Sequence, residues 1–75
     1  MIITIRLSNK DIDIKMDERQ TISMVMAVLQ EKGVICLSDS YTATSVRENK
    51  LIDIEKKLIE NGITNGDIVL IECND

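Results

Sequence analysis

Few side chains in this chain could do chemistry. Cys36 and Cys73 are its two thiols, and it contains no histidine. Zinc ligands come in closely spaced pairs, and two cysteines this far apart supply no such spacing. A nucleophilic thiol needs a nearby base or cation to lower its pKa. Cys73 instead stands beside Glu72 and close to Asp75, whose charges oppose the thiolate. Both cysteines are therefore read as reduced and partly buried. No catalytic residue, metal site or cofactor site is expected, and the expected role is non-enzymatic.

Composition narrows the partners. The chain has 9 Lys and Arg against 13 Asp and Glu, a net charge of −4, with the two signs interspersed. Binding a polyphosphate needs a concentrated basic face and aromatic stacking platforms, so nucleic acid is not the expected partner. The adjacent pair Lys56-Lys57 lies between Glu55 and Glu60 and reads as solvated surface. Apolar residues make up 44% of the chain, and Tyr41 is its one aromatic residue, so the core must be aliphatic. No run approaches the roughly 20 apolar residues that cross a bilayer, and direct membrane insertion is not expected. The chain starts on an alternating strand instead of a secretory leader, which points to a cytoplasmic protein. At 75 residues there is room for one domain, residues 1–75, burying about 60–65% of its unfolded surface.

Hydrophobic periodicity supplies the elements. Ile3, Ile5 and Leu7 alternate with Ile2, Thr4 and Arg6, a period of two that marks a strand. The turn Ser8-Asn9-Lys10-Asp11 leads to a second alternation, with Ile12, Ile14 and Met16 on one face and Asp13, Lys15 and Asp17 on the other. The period then changes to 3.6. Thr21 is placed to cap a helix whose stripe is Ile22, Val25, Met26 and Leu29, and Gly33 is placed to end it. Residues 34–40 read as a connector. Tyr41 to Arg47 is β-prone and predicts a strand centred near Thr44 to Arg47. Glu48-Asn49 reads as a turn and Lys50-Leu51-Ile52 as a short strand. Asp53 to Glu60 reads as a loop or single helical turn that brings Leu58 to the core. The two-glycine turn Asn61-Gly62-Ile63-Thr64-Asn65-Gly66-Asp67 feeds a last strand, Asp67 to Cys73.

Apolar first and last strands separated by a crossover pair in parallel at the middle of a mixed sheet. The predicted class is α+β: a β-grasp of four or five strands in the order β-β-α-β-β-β, packed on one helix. Over its whole length the chain resembles ubiquitin-like proteins. The resemblance is carried by Ile3 and Ile5, the Ile12-Ile14-Met16 alternation, Thr21-Ile22 with Val25 and Leu29, Gly33, and the stretch from Leu58 to Asp67. Asn49-Lys50-Leu51-Ile52 and the ending Gly-Ile-Thr-Asn-Gly-Asp are most similar to the bacterial YukD-like family. Members of that family are stand-alone accessory components of the type VII (ESX-like) secretion systems of Gram-positive bacteria.

That resemblance implies a non-catalytic adaptor or regulator. Its implied partners are the machinery's membrane ATPase or the cytosolic domain of a membrane component, with a homodimer as a competing use of the same patch. It also implies a place in the cytoplasm, peripheral to the membrane through a partner. The ending Glu72-Cys73-Asn74-Asp75 stands where conjugated ubiquitins and sulfur carriers have a diglycine, so the alternative of a carrier or conjugated enzyme substrate is disfavoured. The start at Met1 argues against a piece of a larger protein.

A binding domain shows itself through apolar residues that its fold leaves outside. Met24 and Val28 fall opposite the helix stripe, where Lys or Glu would be ordinary. If Val69 and Ile71 point inward, as the register of the resemblance implies, Ile68 and Leu70 point outward. Met24, Val28, Ile68 and Leu70 are thus the candidate protein-binding residues. The neighbouring third-strand position is expected near Ser45, which would leave the patch incomplete. Arg6, Lys15, Arg47 and Glu72 are candidates for its charged rim. The bland readings are that residues 34–40 cover the helix pair, that single exposed apolar residues mean nothing, and that Met16, Met24 and Met26 pack the core.

Overall fold

A computed structural model describes residues 1–33 and 40–73. The two N-terminal alternations form β1 (Ile2–Arg6) and β2 (Asp11–Lys15), an antiparallel pair in which Ile3 faces Ile14 and Ile5 faces Ile12. This register puts the apolar residues of both strands on one side. Met16 follows β2 and is buried, exchanging backbone hydrogen bonds of 2.8 Å with Met1.

Helix α1 (Ile22–Glu31) lies across that apolar side. Thr21 caps it as predicted, its hydroxyl accepting the Met24 N–H at 3.2 Å. Ile22, Val25 and Met26 are buried and Leu29 packs partly against them. Gly33, at φ +72°, leaves the helix in the left-handed region and donates its N–H to the Gln30 carbonyl.

Strands β3 (Tyr41–Ser45) and β4 (Lys50–Ile52) are antiparallel neighbours, and β5 (Ile68–Cys73) lies between β1 and β3. The sheet order is β2-β1-β5-β3-β4, with β1 and β5 parallel: the expected β-grasp, with five strands. Between β4 and β5 the chain returns beneath the helix start. Leu58 is fully buried there, and its N–H donates to the Gln20 carbonyl. A single 3-10 turn, Ile59–Asn61, follows. The buried Asn61 side chain holds this return together, accepting the Asp53 N–H at 3.0 Å and donating to the Asp53 carbonyl at 3.0 Å.

Several boundaries differ from the sequence reading: β2 begins at Asp11, read as part of the turn, and ends at Lys15, short of Met16 and Asp17. β3 is centred on Ala43 instead of Thr44 to Arg47, because Val46 to Asn49 form the turn, with Asn49 at φ +53°. β5 starts at Ile68, since Asp67 is used to close the preceding turn. The connector expected at residues 34–40 lies, save Ser40, outside the described residues, and so does Cys36.

Leu58 joins the C-terminal return to the core, so Leu58→Ala is expected to lower stability by about 2–5 kcal/mol in urea unfolding. Leu51, 71% exposed, is the control. Its replacement by Ala should stay within about 0.5 kcal/mol.

Candidate functional site

The turn before β5 decides which side chains the sheet presents. Gly66, at φ +86°, lets the chain turn sharply, and its N–H donates to the Ile2 carbonyl at 2.8 Å. Asn65 Oδ1 accepts the Ile2 N–H at 2.7 Å. Asp67 then points inward and is 1% exposed. One carboxylate oxygen accepts the Ile68 N–H at 2.7 Å and the Arg47 N–H at 3.3 Å. The other accepts the Ser45 hydroxyl at 2.8 Å, and Ser45 Oγ in turn accepts the Glu48 N–H at 3.2 Å. A buried carboxylate is tolerated only when its oxygens are occupied in this way. The network ties the start of β5 to the β3–β4 turn, while the Asp67 carbonyl accepts the Thr4 N–H from β1.

With β5 fixed at both sides, Val69 and Ile71 are buried and Ile68 and Leu70 face outward, half-covered by their neighbours. The registers line up Asp11, Arg6, Leu70, Thr44 and Leu51 across all five strands. Asp13, Thr4 and Ile68 form the adjacent row. Leu51 thus joins the two expected residues on one face, and Val46, 44% exposed, hydrogen-bonds through its N–H to the Ile68 carbonyl beside them. Leu51 was legible only as part of a short strand. Its outward direction depends on β3–β4 pairing, which the sequence does not encode locally.

Ser45 does not occupy the expected place. It is fully buried on the inner side with Asp67, and the third-strand residue beside Leu70 is Thr44. Met24 and Val28 are about half exposed, at 54% and 48%, on the side of α1 away from the core. Because the helix covers the opposite side of the sheet, these two do not share a surface with Ile68 and Leu70. Met16 and Met26 are buried, so the methionines divide between core and surface.

Two arginines are paired with carboxylates. Arg6 pairs with Asp11 at 3.1 Å, and this hydrogen bond, then the Asp11 charge, raises its pKa. Asp17 is held below the ordinary carboxylate range by its hydrogen bonds with Arg19, whose own pKa rises through the same contact. The Arg47 guanidinium donates to Thr64 Oγ1 at 2.9 Å. Burial, then the Glu55 charge, pushes the Tyr41 hydroxyl pKa up. Cys73, at the end of β5, is exposed and stands opposite Tyr41 of β3. Among the described residues no cluster of His, Cys, Asp or Glu could hold a metal ion, and no helix is long and apolar enough to cross a membrane.

No family model matches the chain, and no curated protein matches it. Solved structures do. A protein designed on the basis of ubiquitin superimposes with a TM-score of 0.78 at 17% identity, over 100% of this chain and 89% of that one. The N-terminal ubiquitin-like domain of the 4931431F19Rik protein superimposes with a TM-score of 0.75 at 12% identity, over 100% of this chain and 75% of that one. At these identities the likeness establishes the fold: the chain is a ubiquitin-like β-grasp.

Asp67→Ala removes the acceptor of two backbone N–H groups and of the Ser45 hydroxyl, and each orphaned buried group costs about 1–3 kcal/mol. The expected loss in urea unfolding is roughly 3 kcal/mol, against about 1 kcal/mol for Ser45→Ala. Equal losses would show that Asp67 acts through Ser45 alone.

Proposed function

We propose that this chain is a non-catalytic protein-binding module that offers the outer face of its sheet to a protein partner. The observation that supports this most is that Ile68 and Leu70 of β5 and the 71% exposed Leu51 of β4 share the outer face, with Thr44 of β3 between Leu70 and Leu51. One exposed leucine is ordinary, but apolar residues grouped on one face of a sheet are what an interface uses. Arg6, in the same row, gives that face a polar border. Met24 and Val28 form a second, separate surface on the helix.

From the sequence resemblance we read the module as a cytoplasmic accessory or regulatory component of a type VII secretion system. Its partner is then the membrane ATPase or the cytosolic domain of another membrane component. The competing reading is a sulfur or acyl carrier, which would gain mass when mixed with ATP and an adenylating enzyme.

Calorimetric titration into the purified cytosolic domain of the secretion ATPase tests the first reading. Leu51→Lys with Leu70→Lys should weaken binding at least about tenfold, or 1.4 kcal/mol. Met24→Asp with Val28→Asp should bind as the unaltered chain does. Equal binding by both folded variants, or none by the unaltered chain, would sink it.

A further inference from the structure

Strand β2 closes one side of the sheet, and its outer edge carries unpaired backbone groups in a defined pattern. In an antiparallel ladder, residues that exchange hydrogen bonds with the neighbour alternate with residues that do not. Met16 bonds to Met1 and Lys10 to Leu7, so the residues of β2 that bond to β1 are Ile12 and Ile14. The N–H and C=O groups of Asp11, Asp13 and Lys15 therefore point away from the sheet, and among the described residues no hydrogen bond takes them up.

We propose that this edge pairs with the same edge of a second copy of the chain, antiparallel about a two-fold axis at Ile14, joining two sheets into one. The charges select that register. Centred on Ile14, Asp13 lies opposite Lys15 of the second copy and Lys15 opposite its Asp13, and both pairs exchange backbone hydrogen bonds. Centred on Asp13, Asp11 would also meet Lys15, but Asp11 is already held by Arg6, and the two Asp13 carboxylates would meet at the axis; centred on Ile12, Asp11 would meet Asp13. Like charges placed directly opposite one another are destabilising, and unlike ones stabilise.

The remaining contacts suit the same register. Thr4 donates to Asp13 Oδ1 at 2.7 Å and so holds that carboxylate on the outer side of the sheet, where Lys15 of the second copy arrives. Asp11 and Asp17 would approach one another at each end, but each already has its own arginine, Arg6 and Arg19. On the inner side, the half-buried Ile14 meets its own copy and Ile12 meets Met16. Charged residues on an edge ordinarily discourage pairing with other strands. Here their alternation excludes most sequences while fitting the edge to itself, as a two-fold contact requires. The opposite edge, β4, is three residues long and has no such pattern.

Sedimentation velocity across a dilution series tests this, with each variant first checked for folding by circular dichroism. The unaltered chain should dimerise reversibly with concentration. Asp13→Lys and Lys15→Asp should each weaken the dimer at least about tenfold, and the double exchange should restore it. Hydrogen exchange should show the Asp13 and Lys15 amides slowing with concentration while those of Ile12 and Ile14 stay constant. A chain that remains monomeric throughout would overturn the proposal and leave the edge to an extended segment of another protein. A dimer indifferent to the single reversals, or one that the double exchange fails to restore, would overturn the register. None of these variants alters Leu51 or Leu70, so the outcome is independent of the outer-face reading.

Discussion

The parallel pairing of β1 with β5 is the constraint on which the rest of this fold depends. It joins the two ends of the described chain, and it places Ile3 and Ile5 beside Val69 and Ile71 in one aliphatic layer under the helix. Side chains alternate along a strand, so a slip of one residue would bury Ile68 and Leu70 and expose Val69 and Ile71. All four are aliphatic, so hydrophobicity alone discriminates poorly between the two registers. The discrimination comes from the turn before β5. Asp67 is held by Ser45, Arg47 and Ile68, Gly66 by Ile2, and the Asp67 carbonyl by Thr4. A polar knot thus sets the direction of an apolar strand, and the face offered to partners follows from it.

The hairpin and helix were legible because their periods are clean. Ile12 and Ile14 alternate with acidic and basic residues, and the stripe Ile22, Val25, Met26 and Leu29 opens at a capping threonine. Such agreement between pattern, cap and turn residues lets a sequence specify a local structure. The third strand lacks it. Tyr41-Thr42-Ala43-Thr44-Ser45 alternates only weakly: after the partly buried Tyr41, its inward residues, Ala43 and Ser45, are small. Ser45 can be inside only because Asp67, far along the chain, accepts its hydroxyl. No local signal reports that contact.

The same limit applied to the candidate surface. Ile68-Val69-Leu70-Ile71 has no polar alternation, so the outward assignment of Ile68 and Leu70 rests on the register of the ubiquitin-like resemblance; the structure places them so, half-covered at the centre of the sheet. Leu51, the most exposed of the large apolar residues on that face, lies in a three-residue strand too short for a periodic reading. Its direction is set by pairing with Thr44. Met24 and Val28 were found from helical periodicity alone, but only the packed fold shows that they belong to a different side of the domain.

Methyl nuclear Overhauser contacts measured in solution test most directly the claim that the Asp67 turn fixes the register of β5. Val69 and Ile71 should contact the Ala43 methyl and the buried helix residues Ile22 and Val25, while Leu70 contacts Thr44 and Arg6 and nothing on the helix. Contacts from Ile68 or Leu70 to Ile22, Val25 or Met26 would contradict the account, because the exposed face would then belong to Val69 and Ile71.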